Sequence, residues 1–151
     1  MNHAMTRAEL TEKIVRIKID RDLTWKGIAE EAGLSKEFTT AALMGQMALP
    51  AEAAARVGDA LDLNDYEVKL LQQVPSRGSL GQAVPTDPLI YRFYELVQVY
   101  GTTFKALIEE EFGDGIMSAI DFDMDIQRKP DPNGDRVSIT MSGKFLKYKQ
   151  Y

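Results

Sequence analysis

The chain has 151 residues, 44% of them apolar and 27% charged, which suits one or two small domains with a real hydrophobic core. A formal net charge of −5 gives no general attraction to nucleic acid or to an anionic membrane, so a site for an anion has to be locally basic. There is no cysteine and a single histidine, His3, which excludes disulfides, thiolate nucleophiles, cysteine-bound zinc, histidine-based triads and multi-histidine metal sites.

Helical periodicity begins at Arg7, with Leu10, Ile14 and Ile17 on one stripe. Thr24 is placed to cap a second helix carrying Trp25, Ile28 and Ala29, closed by Gly33. Ser35 caps a third, with Phe38, Ala41, Ala42 and Leu43 inward and Gly45 behind it. Pro50 opens a fourth through Ala54, Val57 and Leu61, and Asn64 or Asp65 begins a fifth with Val68, Leu70 and Leu71. The proline-, glycine- and serine-rich run from Pro75 to Pro85 is a linker.

Thr86-Asp87-Pro88 is a helix start, and Leu89, Phe93, Leu96, Val97 and Tyr100 recur at helical spacing up to Gly101. A separate helix is expected from Thr102 to Phe112, ending at Gly113. After Ser118 the period becomes two: Ile120, Phe122, Met124 and Ile126 alternate with Asp121, Asp123, Asp125 and Gln127. Asp131-Pro132-Asn133-Gly134 is a turn, and Val137, Ile139 and Met141 mark a return strand, with a further turn expected at Ser142-Gly143. The fold class is therefore mainly α with a small α+β C-terminal domain: a helical bundle over residues 1–84, then helices and short strands over 85–151. Two or three short strands need a cover for their apolar face, and their open edges invite a second subunit.

The segment from Thr24 through Ser35 into Phe38, Leu43 and Gly45 resembles the helix-turn-helix of phage-repressor-like DNA-binding bundles. Residues 1–86, however, carry ten Lys or Arg against twelve Asp or Glu, a net of −2, so the phosphate attraction that dominates DNA affinity is largely missing. A DNA reader would have to use Lys36 with Thr39 or Thr40; the composition favours a bundle that keeps the shape without nucleic-acid contacts. Asp121, Asp123 and Asp125 lack the glycine and the glutamate of a calcium loop, since Ile126 and Pro132 occupy those positions. No metal is expected.

Arg92 and Glu95, three apart on a helix, share a face, and Ser118 follows a glycine-rich turn. A permanent cation, a carboxylate and a hydroxyl suit the binding of a very small anion. They suit an exposed ion pair and an ordinary loop serine equally well, and spacing does not choose between the two. No apolar run approaches the ~20 residues of a spanning helix and the N-terminus has no signal-peptide core, so the expectation is a cytoplasmic protein without a membrane partner.

The run from Pro85 through Leu107 (PTDPLIYRFYELVQVYGTTFKAL) closely resembles the cyanase, or cyanate hydratase, family. The similarity continues through Phe112-Gly113-Asp114-Gly115-Ile116-Met117-Ser118-Ala119-Ile120 and is visible upstream in Thr39–Pro50 (TTAALMGQMALP). The resemblance implies a repressor-like N-terminal bundle, a C-terminal dimerisation domain and a homodecamer built as a pentamer of dimers. It implies that cyanate and bicarbonate are converted to carbamate and carbon dioxide, carbamate then giving ammonia and a second carbon dioxide. No cofactor is implied; bicarbonate is a co-substrate. The family's catalytic residues fall on Arg92, Glu95 and Ser118, at sites between subunits.

Overall fold

Helix starts follow the local capping chemistry closely. In a computed structural model describing residues 4–151, so that His3 lies outside the described residues, Thr6 and Glu9 form a reciprocal capping box at the head of α1 (Arg7–Asp20). Thr24 caps α2 (Trp25–Ala32), which Gly33 ends in the left-handed conformation at φ 75°. Ser35 caps α3 (Lys36–Leu43). Pro50 precedes α4 (Ala51–Leu61), and Asn64 makes a second capping box with Glu67 in α5 (Asp65–Leu71).

These five helices belong to the first of two units, Met1–Ser79, and the second is Leu80–Tyr151. The core of the first unit joins Leu10 and Ile14 of α1 to Ile28, Ala32, Ala42, Leu43, Ala54, Val57, Leu61 and Leu71. Arg7 ties its chain ends together. Its guanidinium donates to the carbonyls of Ala42 (2.9 Å), Met47 (2.7 Å), Leu70 (2.8 Å) and Gln73 (3.2 Å), satisfying oxygens left open where α3 and α5 stop. Burial lowers its pKa, yet an arginine stays charged. Glu67, only 1% exposed, accepts from Lys13 Nζ at 2.6 and 2.8 Å and from the Asn64 amide at 2.9 Å. Thr39, on the helix that would read DNA, is fully buried with an unpartnered hydroxyl, and Lys36 is ion-paired to Glu37 at 2.6 Å. Thr39 is therefore not placed to reach a base edge.

The second unit departs from expectation in three places. Residues 88–112 form one helix, α6 (Pro88–Phe112), with no break at Gly101. A single internal glycine costs about 1 kcal/mol relative to alanine, and Phe104 and Leu107 continue the phase of Phe93, Val97 and Tyr100. The strand expected after Ser118 begins earlier, as β1 (Gly115–Lys129). Its antiparallel partner β2 (Arg136–Lys147) runs straight through Ser142-Gly143, where a turn was expected. The Asp131–Gly134 turn is present, with the Gly134 amide on the Asp131 carbonyl at 3.0 Å and the Asn133 amide on Asp131 Oδ1 at 2.8 Å. The architecture is mainly α with a small α+β C-terminal part, whose β component is one long hairpin.

Candidate active site

Asp87 sets the start of α6: its carboxylate accepts from the amides of Leu89 and Ile90 at 2.9 Å each, and Pro88 takes the first turn. One turn on, Arg92 and Glu95 lie on a shared face, both exposed. They do not pair. Among the described residues no hydrogen bond or ion pair joins Arg92 to Glu95, and the Arg92 guanidinium carbon instead sits 5.8 Å from the centroid of the Tyr91 ring, inside the cation–π range of roughly 6 Å. Tyr91 and Tyr94 lie alongside, ring centroids 6.0 Å apart, and Gln98 donates to the Tyr94 hydroxyl at 3.0 Å. Arg92 thus has no carboxylate partner among the described residues, and its guanidinium stays charged.

Ser118 lies in β1, not in the loop before it, and is 5% exposed. The pairing explains its position. Met117 faces Phe145 and Phe122 faces Gly143, so four residues of β1, Ser118–Asp121, stand opposite Lys144 alone. The Ser118 Oγ accepts from the amides of Ile120 (3.0 Å) and Asp121 (2.9 Å), folding this wide bulge onto itself. Ile120 is left 98% exposed at its tip. Arg92 and Glu95 thus share one helix face, while no hydrogen bond among the described residues links either of them to Ser118. An open hollow lined by Leu80, Pro85, Asp87 and Ile90 contains none of the three. Among the described residues no group of three or more His, Asp or Glu side chains is arranged to hold a metal.

Sequence similarity decides what this arrangement belongs to. Residues 7–75 match the N-terminal domain of cyanate hydratase, and residues 82–150 match the cyanate lyase C-terminal domain. The chain belongs to the cyanate hydratase family. A cyanate hydratase from Methylibium petroleiphilum is 67% identical over 97% of this chain and 100% of its own length, and one from Ralstonia pickettii is 65% identical over the same shares. The crystal structure of cyanase from T. urticae superposes with a TM-score of 0.80 at 37% identity, covering 92% of this chain and 97% of that one. β2 also contains a glycine that does not turn the chain. Gly143 pairs with Phe122 instead of opening the expected turn, and a glycine inside a strand pattern marks a bulge or a close backbone approach.

Proposed function

We propose that the protein is a cyanate hydratase: it converts cyanate and bicarbonate to carbamate and carbon dioxide, carbamate then releasing ammonia and a second carbon dioxide. The observation that carries this reading is 67% identity to a protein of that name along essentially the whole chain, with both halves of the family represented.

The chemistry suits the residues. Cyanate and bicarbonate have no remote groups whose binding energy can drive the reaction, so fixed charge and positioning have to carry it. Two anions held ~4 Å apart at an effective dielectric of ~20 repel by about 4 kcal/mol. Arg92 offsets that charge and fork-binds oxygen, and Ser118 orients an anion by a hydrogen bond. A bicarbonate oxygen held against the cyanate carbon gains from proximity. The adduct loses carbon dioxide from the bicarbonate carbon, and the cyanate nitrogen must gain two protons, one carried in by bicarbonate and one supplied from outside the two substrates, for carbamate to leave as an anion. Glu95 is assigned to that proton transfer. With no ion pair between Arg92 and Glu95 among the described residues, orienting Arg92 by a direct ion pair has no support within one subunit. No organic cofactor or metal is assigned a step.

Assembly belongs to the same reading. Not one side chain of α6 is buried, and Leu89, Phe93, Leu96, Val97, Tyr100, Phe104 and Leu107 form an exposed stripe along it. An apolar surface of this extent needs a cover, which supports self-association; the homodecamer, a pentamer of dimers with active sites at subunit interfaces, is what the family resemblance implies. No helix among the described residues is long and apolar enough to cross a membrane, and a cytoplasmic location completes the proposal. Ammonia release from cyanate tests the activity: purified protein should release it steadily with bicarbonate present, and a folded, assembled sample that releases none would overturn the assignment.

A further inference from the structure

We propose that Gly143 is a positioning residue for the reaction, and that the bulge it closes restricts Ser118 to giving a hydrogen bond to the substrate anion. The inference rests on Ser118 being a residue of the cyanate site. A serine hydroxyl has one proton and two lone pairs. Both accepting directions of Ser118 Oγ are taken, by the amides of Ile120 at 3.0 Å and Asp121 at 2.9 Å. Its proton meets no acceptor among the described residues. What remains for a substrate is a donor, polarised by two N–H groups drawing density from the oxygen. Nucleophilic attack by Ser118 would first require breaking one of those bonds, so the geometry favours an orienting hydroxyl over a covalent intermediate.

The bulge depends on the opposite strand. Where four residues of β1 face Lys144 alone, the Ser118 carbonyl turns toward β2 and passes directly over Gly143. A Cβ on Gly143 would collide with that carbonyl oxygen and stand 2.7 Å from Met117 Cγ. The φ of Gly143 is not in the left-handed region, so the glycine is required by the close approach and not by backbone conformation. A methyl group there pushes the Ser118 backbone outward and turns its hydroxyl away.

The test is a double-mutant cycle on ammonia release, with assembly checked for each variant. Gly143→Ala should lower kcat/KM for cyanate by about tenfold or more, the scale of a lost hydrogen bond to a charged group. In a Ser118→Ala background the same change should cost almost nothing, because the hydroxyl it displaces is gone; an equal loss in both backgrounds would mean a purely structural role and overturn the proposal. Full activity of Gly143→Ala beside an inactive Ser118→Ala would also overturn it while leaving the site reading intact. Full activity of Ser118→Ala would instead remove Ser118 from the site. If Gly143→Ala does not fold, Ser118→Cys decides. In a chain with no other cysteine, a donor role predicts at least tenfold lower activity, because a thiol donates weakly. Retained activity together with a carbamoyl adduct on the peptide carrying position 118 would show a nucleophile and sink the proposal.

Discussion

Replacing Arg7 with methionine keeps most of the aliphatic stem and removes every donor. In the native bundle that guanidinium serves four carbonyls, at 2.7–3.2 Å, contributed by the ends of α3 and α5 and the residues after them. Each such bond to a charged donor is worth on the order of 1.5–3 kcal/mol where water is excluded, and less where water can replace it. The bonds to Ala42, Met47 and Leu70 are part-buried and the one to Gln73 is exposed. A total of about 2–4 kcal/mol is therefore expected, short of the simple sum. With a urea slope of roughly 1–2 kcal/mol/M for a small bundle, the midpoint should fall by about 1–4 M. Trp25, the only tryptophan, packs against the core of this unit, so its fluorescence reports the transition at one fixed protein concentration. Arg7→Lys should recover only part of the loss, since an ammonium cannot span the same fork. A midpoint unchanged within about 0.3 M for Arg7→Met would refute the clamp.

The remaining expectations concern acid stability, assembly and catalysis. Burial opposes the charged form of Glu67, but its hydrogen bonds from Lys13 and the Asn64 amide, with the Lys13 charge, outweigh that and leave its pKa lowered; its contribution is thus present above the unfolded value of about 4.3 and is lost as pH falls through the lower folded value. Urea midpoints taken down the acid limb should fall less steeply for Glu67→Gln than for the native chain, and parallel curves would contradict this. Phe104→Asp places a charge in the uncovered stripe of α6 and should shift the mass distribution in mass photometry toward smaller species; an unaltered assembly would place the interface elsewhere. Arg92→Lys and Ser118→Ala should each lose ten- to a hundredfold or more in kcat/KM while remaining assembled, on the scale of lost charge-assisted contacts. Glu95→Gln should depress kcat and change its pH profile, and near-native turnover across pH would remove it as the proton carrier.

What the sequence made legible was local chemistry. Thr24, Ser35 and Asn64 cap where expected because a capping side chain bonds an amide only three residues away. Gly101 does not end α6, because the apolar stripe keeps its phase across it and one glycine costs only about 1 kcal/mol. Ser142-Gly143 looks like a turn locally because a bulge is a property of the opposite strand: nothing near Gly143 announces that four residues of β1 will crowd against Lys144. Neither Arg7 nor Glu67 stood out, since their partners lie far along the chain. Spacing placed Arg92 and Glu95 on one face but could not tell an ion pair from two separate side chains, and in the folded chain they stay apart. The identity of the chemistry came from similarity along the whole chain, which periodicity alone could not supply.

The most direct measurement is a single turnover of cyanate with isotopically labelled bicarbonate, following the carbon dioxide first released and the ammonia together. Attack by bicarbonate on the cyanate carbon predicts that the first carbon dioxide carries the label, that the carbamate carbon does not, and that ammonia release stops when bicarbonate is removed. Unlabelled first carbon dioxide, or ammonia released at an undiminished rate without bicarbonate, would contradict it.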